Sequence, residues 1–504
     1  MPAGAAAADV AVVGAGNAAL NAALSAAEAG ARVLVLEKAP QEARGGNSYY
    51  TGGLFRFPYE SVDDVEELTG ELSKAERGSV DLGAYKEADF YGDLMRVSDG
   101  LADADLCDLL VTRARPALAA TRKWGVRWAL ATGRQAFKVD GRFKFFGGLA
   151  CECVGAGKGL VDALFQACER QGIEIAYDTM AAKLILDGDG GVAGIQVRTP
   201  GGVRDVRCRA AVLACGGFEA NPEMRARYLG PGWDLAKVRG TRYNTGDGIH
   251  MALEAGAQPF GHYAGCHAVA WDAGAPPFGD RRIADLYQKH SYPLGIVVNV
   301  RGERFVDEGA DFRNYTYAKY GKEVLRQPRR LAFQIFDQQV VRLLRDEYRI
   351  PEVTSASAGT VRELADKLEI DAGGLERTVA AFNRAVSEGP FNPAILDGKR
   401  TTGITPPKSN WALRLDSPPF VGYAVTCGIT FTFGGLRVDR QARVIDLQER
   451  PIPGLYAAGE LVGGLYYENY PGGSGLTAGA VFGQIAGESA ADASPPAHAR
   501  TTGG

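Results

Sequence analysis

A glycine turn near the start of the chain has the residue types and spacing that bind a dinucleotide. Gly14 and Gly16 form the turn, and Ala19 fills a third small position. The first glycine permits a tight turn, the second lets backbone approach a pyrophosphate, and the small alanine lets a following helix pack closely. Glu37 ends the next apolar run, where a carboxylate can accept hydrogen bonds from a ribose diol. These residues predict nucleotide-binding chemistry.

The elements that must position these residues form a βαβ unit. Residues 9–13 are an apolar run, an alanine-rich helical pattern follows and ends at Gly30, and residues 32–36 form a second apolar run. The two strands, the helix between them and Glu37 follow one another with the spacing of a dinucleotide-binding unit. In such a unit the phosphates would lie at the positive end of the helix. This spacing disfavours the alternative of a plain glycine turn.

Motifs at both ends of the chain indicate a long cofactor. The segment EARGGNSYYTGG follows Glu37, and a predicted strand near the other end finishes at Glu460. A middle strand runs into Gly216, and the turn that contains Asp247 can meet phosphate or ribityl oxygens. A nucleotide site that draws on both ends favours FAD over NAD, and a second dinucleotide fingerprint is absent from the sequence.

Six motifs in order then resemble one superfamily. GAGNAA, GGNS, ACGGF, NTGDGI, RGERFVDE and GLYAAGE are similar to motifs of the FAD-dependent fumarate reductase/succinate dehydrogenase flavoprotein superfamily, which also contains 3-ketosteroid Δ1-dehydrogenases. Within it, FVDEGADFRNYTYAKYG and ENYPGGSGL are most similar to the tricarballylate dehydrogenase branch.

The resemblance implies an α/β fold in which a Rossmann-like FAD-binding domain is interrupted by an α+β capping (substrate) domain. The expected bounds are 1–257 and 416–504 for the FAD-binding domain and 258–415 for the cap. Long loops and the loss of nucleotide motifs in the middle of the chain agree with this interruption. The expected FAD-binding residues are Gly14, Gly16, Asn17, Ala19, Glu37, Lys38, Gly45, Gly46, Asn47, Ser48, Gly216, Asp247, Glu460, Gly473, Ser474, Gly475 and Leu476.

The same resemblance implies an arginine as the proton-transferring group. Arg313 lies in the matching region, one position later than an ideal alignment places it. Because arginine has a pKa above about 12, proton transfer would need a relay to a carboxylate, for which Glu308 and Asp311 are the nearby candidates. A pure carboxylate clamp and a solvated salt bridge are the alternatives.

Three further substrate contacts are compared with the superfamily. His267 lies where relatives have a substrate-contacting histidine, with a structural histidine as the alternative, and His290 is a weaker candidate. Thr430 and Phe431 stand where fumarate reductases carry histidines, and Tyr470 replaces a carboxylate-binding arginine by a hydroxyl. These departures argue against fumarate or succinate as the substrate.

The glycines that follow Tyr470 have their own expected role. Residues 472–476 would bring backbone N–H groups to the flavin pyrimidine edge at a helix start, where partial positive charge favours the anionic reduced flavin. Tyr466 and Tyr467 are expected at the wall or at a domain interface. The cap cations that could hold a polycarboxylate are Arg239, Arg242, Arg281, Arg282 and Lys289.

We therefore expect an FAD-dependent dehydrogenase that desaturates a CH–CH bond beside a carboxylate, converting tricarballylate to cis-aconitate or acting on a related polycarboxylate. Its electrons would pass to a separate membrane electron-transfer protein. The alternatives are a fumarate-reductase-type alkene reductase, a 3-ketosteroid-dehydrogenase-like desaturase of a ketone, and a flavoprotein electron carrier without its own substrate.

Composition excludes several other classes. The net charge of −4 over 504 residues gives no electrostatic reason for nucleic-acid binding. Eight cysteines without a CxxC pair and five histidines disfavour a metal site. Apolar runs stay below the ~18 residues of a membrane helix, and the first ten residues lack the basic segment of a signal peptide. We therefore expect a cytoplasmic protein without a membrane segment.

Overall fold

The computed structural model describes residues 8–493. Most of the segment expected to lack a signal peptide, residues 1–7 of the first ten, therefore lies outside the described residues. The strands are β1 Val10–Val13, β2 Val33–Leu36, β3 Leu54–Phe55, β4 Val80–Asp81, β5 Trp128–Leu130, β6 Ala136–Val139, β7 Arg142–Phe145, β8 Cys151–Cys153, β9 Glu174–Ala176, β10 Met180–Leu186, β11 Val192–Thr199, β12 Gly202–Arg207, β13 Ala210–Leu213, β14 Lys237–Val238, β15 Pro259–Asp272, β16 Ile296–Asn299, β17 Ala332–Phe336, β18 Ser355–Ala358, β19 Phe420–Leu436, β20 Arg443–Ile445 and β21 Pro451–Ala457. The α-helices are α1 Asn17–Glu28, α2 Val62–Thr69, α3 Lys74–Ser79, α4 Glu87–Val97, α5 Ala104–Lys123, α6 Thr132–Gln135, α7 Ala156–Arg170, α8 Pro222–Met224, α9 Asp247–Glu254, α10 Tyr317–Leu325, α11 Val361–Leu368, α12 Ala372–Ala385 and α13 Ser474–Asp492.

The nucleotide sheet has the strand order β20-β21-β13-β1-β2-β9. All neighbours pair in parallel except the edge strand β20, which pairs antiparallel with β21. Every residue of β1, β2 and β13 is buried, as expected for parallel strands that are covered on both faces. The predicted βαβ unit is confirmed, and its strand and helix bounds agree within two residues.

Helices α1 and α13 bring the two ends of the chain together against the nucleotide sheet. Gly479, Gly483 and Gly487 recur every four residues on the face of α13 that touches α1. A Cβ atom at Gly483 would meet the Ala18 carbonyl oxygen at 2.5 Å, and one at Gly487 would meet the Ala22 carbonyl oxygen at 2.2 Å. The small residues therefore allow the two helix backbones to approach closely.

The cap sheet is built around the long strand β19. Strand order is β14-β19-β17-β16, and β15 and β18 also pair with β19. In the β15–β19 ladder, register shifts occur between His262 and Cys266 and again between His267 and Ala268. His267 lies between these two irregularities, directly opposite Phe431.

The predicted α/β class is confirmed, with a parallel nucleotide sheet and a mixed cap sheet. The cap sheet extends beyond the predicted bounds of 258 and 415, because β14 precedes the first and β19 follows the second. The physical reason is that β19 is one continuous strand that pairs with β14, β15, β17 and β18, so its whole length belongs to this sheet.

No helix within residues 8–493 has the length and apolar character that a membrane crossing requires. The same residues contain no group of three or more His, Cys, Asp or Glu side chains that could hold a metal ion. The eight cysteines are free thiols, and all except the half-buried Cys215 are buried.

Candidate active site

A large cavity begins at the carboxyl ends of the nucleotide-sheet strands and continues to the cap sheet. Its space not filled by protein atoms is about 1930 Å³, including the part open to solvent. Open α/β sheets bind ligands at this edge.

The glycine turn forms one end of the cavity. Gly14 has a φ of +102°, and a Cβ atom there would meet the Ala214 carbonyl oxygen at 2.6 Å. Gly16 precedes α1, and its position offers no side-chain cap to the helix. The Asn17 backbone N–H donates to Ser48 Oγ at 3.0 Å, which joins the turn to the GGNS segment. The turn therefore presents helix N–H groups to the cavity, as a pyrophosphate requires.

Glu37 ends β2 and lines the cavity. Its Oε1 accepts a hydrogen bond from the Ala39 backbone N–H at 2.7 Å. Burial raises the pKa of Glu37 to about 7, although backbone donors and Lys38 act in the opposite direction. A carboxylate in this position can accept hydrogen bonds from a ribose diol.

Lys38 connects the end of β2 to the start of α9. Its Nζ lies 2.7 Å from Asp247 Oδ2 and donates to Thr245 Oγ1 at 2.5 Å. Asp247 begins α9 after Gly246, which has a φ of +85°. Lys38 and Asp247 both line the cavity, so this ion pair forms part of its wall.

The N-terminus of α13 faces the same cavity from the other end of the chain. Gly473 precedes the helix with a φ of +83° and offers no side-chain cap. Asn17 Nδ2 donates to the Leu476 carbonyl oxygen at 2.8 Å, so the first turns of α1 and α13 are tied together. Two helix N-termini without side-chain caps thus converge on one space, which is favourable for a ligand with several anionic or polar groups.

The predicted cofactor residues are largely brought together by the fold. Those that line the cavity are Gly14, Gly16, Asn17, Glu37, Lys38, Gly46, Asn47, Ser48, Gly216, Asp247, Glu460, Gly473, Gly475 and Leu476. Ala19, Gly45 and Ser474 are not in the lining. Ala19 is buried in the core, Gly45 packs on Val161, and Ser474 Oγ donates to the Pro471 carbonyl oxygen at 2.6 Å.

These residues fit FAD. The uncapped helix N-termini match a pyrophosphate and the polar edge of a flavin, and the Glu37 carboxylate matches a ribose. The close contacts that a Cβ atom would make at Gly14 and Gly473 show why backbone, rather than side chains, forms these walls.

An aromatic wall forms the cap end of the cavity. The His267 ring stacks on Phe431 with centroids 5.2 Å apart, and it meets Tyr317 and Tyr470 edge-on at 4.9 Å each. His267 is 1% exposed, and neither of its ring nitrogens has a hydrogen-bond partner in the described part of the chain. Burial holds the pKa of His267 well below its usual range, so its ring is neutral near pH 7.

Tyr470 presents a hydroxyl at this wall. The Tyr317 hydroxyl donates to the Tyr470 oxygen at 3.0 Å, and the Gly473 N–H donates to the same oxygen at 2.9 Å. Because that oxygen already accepts two hydrogen bonds, the O–H of Tyr470 remains available to donate to a ligand. Tyr466 also lines the cavity, whereas Tyr467 stacks on His262 outside it.

Arg313 reaches the cavity from a 3-10 turn in the cap, Arg313–Tyr315. One guanidinium nitrogen lies 3.4 Å from His290 Nδ1, and another donates to the Arg134 carbonyl oxygen. Arginine can only donate, so His290 Nδ1 accepts and Nε2 carries the proton of the neutral ring. Burial lowers the pKa of Arg313 below its usual value.

The predicted relay through Glu308 or Asp311 is wrong. Glu308 is fully buried outside the cavity lining, where it pairs with Arg304 and accepts from the Val297 N–H at 2.7 Å. Asp311 Oδ2 lies 2.8 Å from Arg96 Nη1. Sequence proximity to Arg313 misled the prediction, because the chain turns away between these residues.

Glu347 is the carboxylate that the fold places near Arg313, and no motif in the sequence pointed to it. It lines the cavity, is 4% exposed and forms no ion pair within 4.0 Å in residues 8–493. Its charge raises the pKa values of Arg134, Arg313 and Arg345. Burial nevertheless lowers the pKa of Arg345 to about 9, with repulsion from Arg313 contributing.

Two other arginines of the cavity are already neutralised. Asp285 is buried between Arg134, at 2.7 Å from Nη1, and Arg239, which contacts its other carboxylate oxygen. Arg239 also donates to Thr430 Oγ1 at 3.3 Å. Arg134 Nε also lies 3.5 Å from Glu152 Oε2. The four arginines of this end therefore face three carboxylates, Asp285, Glu347 and Glu152, which leaves an excess of one positive charge.

The remaining cap cations predicted for a polycarboxylate lie elsewhere. Arg242 lies over the Phe278 ring and Arg281 over the Tyr49 ring. Arg282 pairs with Asp280, and Lys289 lies 3.6 Å from the buried Asp272. Arg134, Arg345 and Tyr317 also line the cavity and were missed. Arg134 and Arg345 come from segments whose local sequence carries no cofactor or substrate motif, whereas Tyr317 lies in the segment FVDEGADFRNYTYAKYG, in which only Arg313 and the nearby acids were selected.

Comparison with known proteins gives a match to the family described as FAD binding domain over residues 9–476. A probable fumarate reductase of Shewanella frigidimarina is 29% identical over 96% of this chain and 74% of its own length. The 3-oxosteroid 1-dehydrogenase of Mycobacterium tuberculosis is 29% identical over 70% of this chain and 66% of its own length.

Among solved structures, the open conformation of a flavocytochrome c3 fumarate reductase is similar to this chain. The TM-score is 0.71 at 27% sequence identity, and the match covers 97% of this chain and 79% of that one. Fold and sequence thus place the cavity in a setting shared with redox proteins that act on carbon–carbon double bonds.

Proposed function

We propose that this chain, which belongs to the FAD-binding-domain family of fumarate reductase and succinate dehydrogenase flavoproteins, interconverts a saturated carboxylate and its α,β-unsaturated counterpart. As a member of this family it is an FAD-dependent oxidoreductase acting on C=C bonds. The observation that carries the proposal is the position of Arg313. It faces the cavity beside the aromatic wall and forms no ion pair with a carboxylate of the described residues.

Charge indicates which carboxylate the site takes. Only Arg313 and Arg345, of the four cavity arginines, have no carboxylate within 4.0 Å in the part of the chain described. Glu347 offsets part of their charge. A substrate with one carboxylate fits this balance better than tricarballylate, whose three carboxylates would meet Glu347 and Asp285 with too few free cations.

The wall indicates the rest of the substrate. His267, Tyr317, Phe431, Tyr466 and Tyr470 form an aromatic surface with ring contacts of 4.9 to 6.1 Å. Such a surface favours a planar, mostly apolar group over a strongly hydrated one. We therefore propose an aryl- or alkyl-substituted propionate and the corresponding acrylate as the substrate pair.

Each residue then has a distinct task. When bound, FAD supplies the two-electron redox step at one substrate carbon. Arg313 holds the carboxylate and exchanges the proton of the neighbouring carbon, helped by the burial that lowers its pKa, while the charge of the nearby Glu347 acts on that pKa in the opposite direction. The neutral His290 accepts from Arg313 and fixes its orientation. Desaturation removes one hydrogen as a proton and the other as a hydride, which carries the two electrons. Reduction of the alkene adds the proton and the hydride back.

A second candidate is desaturation of a ketone. The Tyr470 hydroxyl, held by Tyr317 and the Gly473 N–H, is a neutral donor suited to a carbonyl oxygen rather than a carboxylate. The likeness to a 3-oxosteroid 1-dehydrogenase supports this candidate.

We also propose a separate protein as the electron partner and a cytoplasmic location, both from the sequence-based expectations.

The test is an anaerobic redox panel on the purified holoenzyme. Succinate, tricarballylate, an aryl-propionate and a 3-ketosteroid are each mixed with oxidised enzyme, and the matching alkenes are mixed with dithionite-reduced enzyme. We expect the flavin absorbance to change with the aryl-substituted monocarboxylate pair. Response to tricarballylate alone would restore the polycarboxylate hypothesis, response to the ketosteroid alone would favour the ketone, and silence of both arms would refute the proposal.

A further inference from the structure

Arg56 is a completely buried cation behind the turn that precedes α13, residues 470–473. The proposed chemistry does not use it. It follows β3 and is 0% exposed. Its guanidinium lies 5.1 Å from the Tyr85 ring centroid and 5.2 Å from that of Tyr315, and Nη1 lies 3.6 Å from Asp93 Oδ2. Burial lowers the pKa of Arg56, but the two phenols and Asp93 outweigh it and keep the group charged.

The cation is bonded to the turn that precedes α13. Arg56 Nε donates to the Gly472 carbonyl oxygen at 2.8 Å. The backbone reinforces this contact, because the Arg56 N–H donates to the Gly473 carbonyl oxygen at 3.3 Å and Thr477 Oγ1 donates to the Arg56 carbonyl oxygen at 2.8 Å. The guanidinium is thus held against one particular peptide group.

That peptide group continues the chain of hydrogen bonds to the cavity. The Gly472 carbonyl and the Gly473 N–H belong to the same peptide unit, and this N–H donates to the Tyr470 hydroxyl oxygen at 2.9 Å. The order of contacts is therefore Arg56, the 472–473 peptide, and the Tyr470 hydroxyl.

Peptide resonance makes this order chemically significant. A positive charge at the carbonyl oxygen draws electron density from the amide nitrogen, so the N–H of the same unit becomes a stronger donor. A stronger donor to the Tyr470 oxygen in turn makes the Tyr470 O–H a better donor. Hydrogen bonds that include a charged group are also roughly twice as strong as neutral ones.

We propose that Arg56 is a positioning residue that strengthens Tyr470 as a hydrogen-bond donor to the substrate, acting through the Gly472–Gly473 peptide. The inference rests on the proposed function only in taking Tyr470 as a substrate-facing residue. The ligand group that benefits is an oxygen gaining negative charge, such as a ketone or carboxylate oxygen during proton removal from the adjacent carbon.

Other groups also face Tyr470 and must be separated from Arg56. Tyr317 donates to its oxygen, the His267 ring lies 4.9 Å away, and the Tyr466 ring lies 5.3 Å away. Burial raises the pKa of Tyr470, whereas Tyr317, the Gly473 N–H, Arg239 and Arg56 lower it. Arg239 is paired with Asp285, and no Arg56 substitution touches that pair.

Three substitutions at Arg56 separate charge from bonding. Arg56→Lys keeps the charge, Arg56→Gln keeps an N–H donor without charge, and Arg56→Met keeps only apolar bulk. Arg225→Gln is the matched control, because Arg225 is also buried and bonded to two backbone carbonyls, those of Glu219 and Asp234. FAD content and far-UV circular dichroism establish that each holoenzyme is folded.

The first measurement needs no substrate. The holoenzyme is labelled with 3-fluorotyrosine, which lowers phenol pKa values into an accessible range, and the Tyr470 ¹⁹F resonance is assigned by its loss in Tyr470→Phe. We expect the titration midpoint of this resonance to rise in Arg56→Gln and Arg56→Met but much less in Arg56→Lys. A midpoint that is unchanged in all three, or shifted equally by Arg225→Gln, would overturn the inference.

The second measurement is a double-mutant cycle with any compound active in the redox panel. Removal of a direct donor costs about 100-fold in kcat, so we expect a smaller loss of about tenfold in kcat from Arg56→Gln acting through a peptide. That loss should vanish in a Tyr470→Phe background. Losses that multiply would indicate a purely structural role. If no compound reacts, the proposed function fails while the ¹⁹F experiment still decides the role of Arg56.

Discussion

At the scale of single residues, the site depends on buried polar groups that are left partly unpaired. His267 has no partner on either ring nitrogen, and the Nε of Arg313 is also without one among the described residues. An unpaired buried polar atom costs about 1–3 kcal/mol, so such atoms are uncommon in a wall that only packs. Their concentration at the aromatic end indicates the groups that a substrate would satisfy.

Arg313→Gln tests the main proton-transfer assignment. We expect kcat to fall about 10²–10⁴-fold, the range for loss of a general acid or base. Steady-state kinetics with the reactive compound from the redox panel measures this loss.

The competing clamp role gives a different pattern. If Arg313 only holds the carboxylate, KM rises while kcat stays close to its original value. Arg225→Gln controls for loss of a buried arginine elsewhere, and a matching fall in kcat there would contradict the assignment.

Glu37 predicts a pH dependence of cofactor binding. Its pKa of about 7 in the protein without cofactor means that the carboxylate is largely protonated at pH 6 and ionised at pH 8. Because an ionised carboxylate is the form that accepts hydrogen bonds from both hydroxyls of a ribose diol, we expect the affinity for FAD to fall by up to about tenfold per pH unit below 7. Titration of apoprotein followed by flavin fluorescence measures this, and Glu37→Gln should flatten the profile. A steep profile in the variant would point to another group.

At the scale of elements, packing of α1 on α13 positions both helix N-termini at the cavity. The glycines at 479, 483 and 487 set the distance between the helices, and Asn17 joins their first turns. The glycine turn before α1 and the turn before α13 are therefore both positioned by this helix pair. A substitution that shifts one helix against the other, even far from the cavity, should alter the position of both turns.

Gly483→Ala tests this packing. The added Cβ would meet the Ala18 carbonyl oxygen at 2.5 Å, a backbone atom that cannot move cheaply. We expect the free energy of unfolding to fall by about 1–3 kcal/mol, measured by urea denaturation of the holoenzyme. Gly92→Ala is the matched control, since a Cβ there meets nothing within 4 Å and α4 should gain up to about 1 kcal/mol. Equal effects at the two positions would contradict the packing argument.

The sequence predicted the cofactor end better than the substrate end for a physical reason. Gly14, Gly16 and Glu37 act through local backbone geometry, which neighbouring residues determine. Glu347 and Arg134 enter the cavity from separate segments of the chain, brought together only by tertiary packing. Glu308 shows the converse error, because a residue five positions from Arg313 faces a different partner, Arg304.

At the scale of the whole molecule, the cavity wall is formed by both chain ends and the cap. Ser48 and Gly475 represent the two ends, and Arg313 and Thr430 represent the cap sheet and its loops. A ligand bound in this space packs between regions that are distant in sequence, where it takes the place of core side chains. The cofactor should therefore contribute to stability as well as to chemistry.

FAD should raise the unfolding temperature of the whole chain in one cooperative step. At a concentration 100 times Kd, binding adds about 2.7 kcal/mol to the free energy of unfolding. Calorimetry of apoprotein and holoenzyme measures the shift. A separate cap transition that keeps the same midpoint with and without FAD would show that the cap is energetically independent of the cofactor.

The irregular register around His267 has a consequence for how this protein can diversify. Side chains alternate between the faces of a strand, so gaining or losing one residue in β15 reverses what the cavity sees. The breaks on both sides of His267 let length changes be absorbed before Cys266 or after His267 without moving the ring off Phe431. Single-residue insertions at these breaks should therefore keep the His267 ring on Phe431. An insertion elsewhere in β15 should instead reverse the two faces of the strand and change which side chains line the cavity.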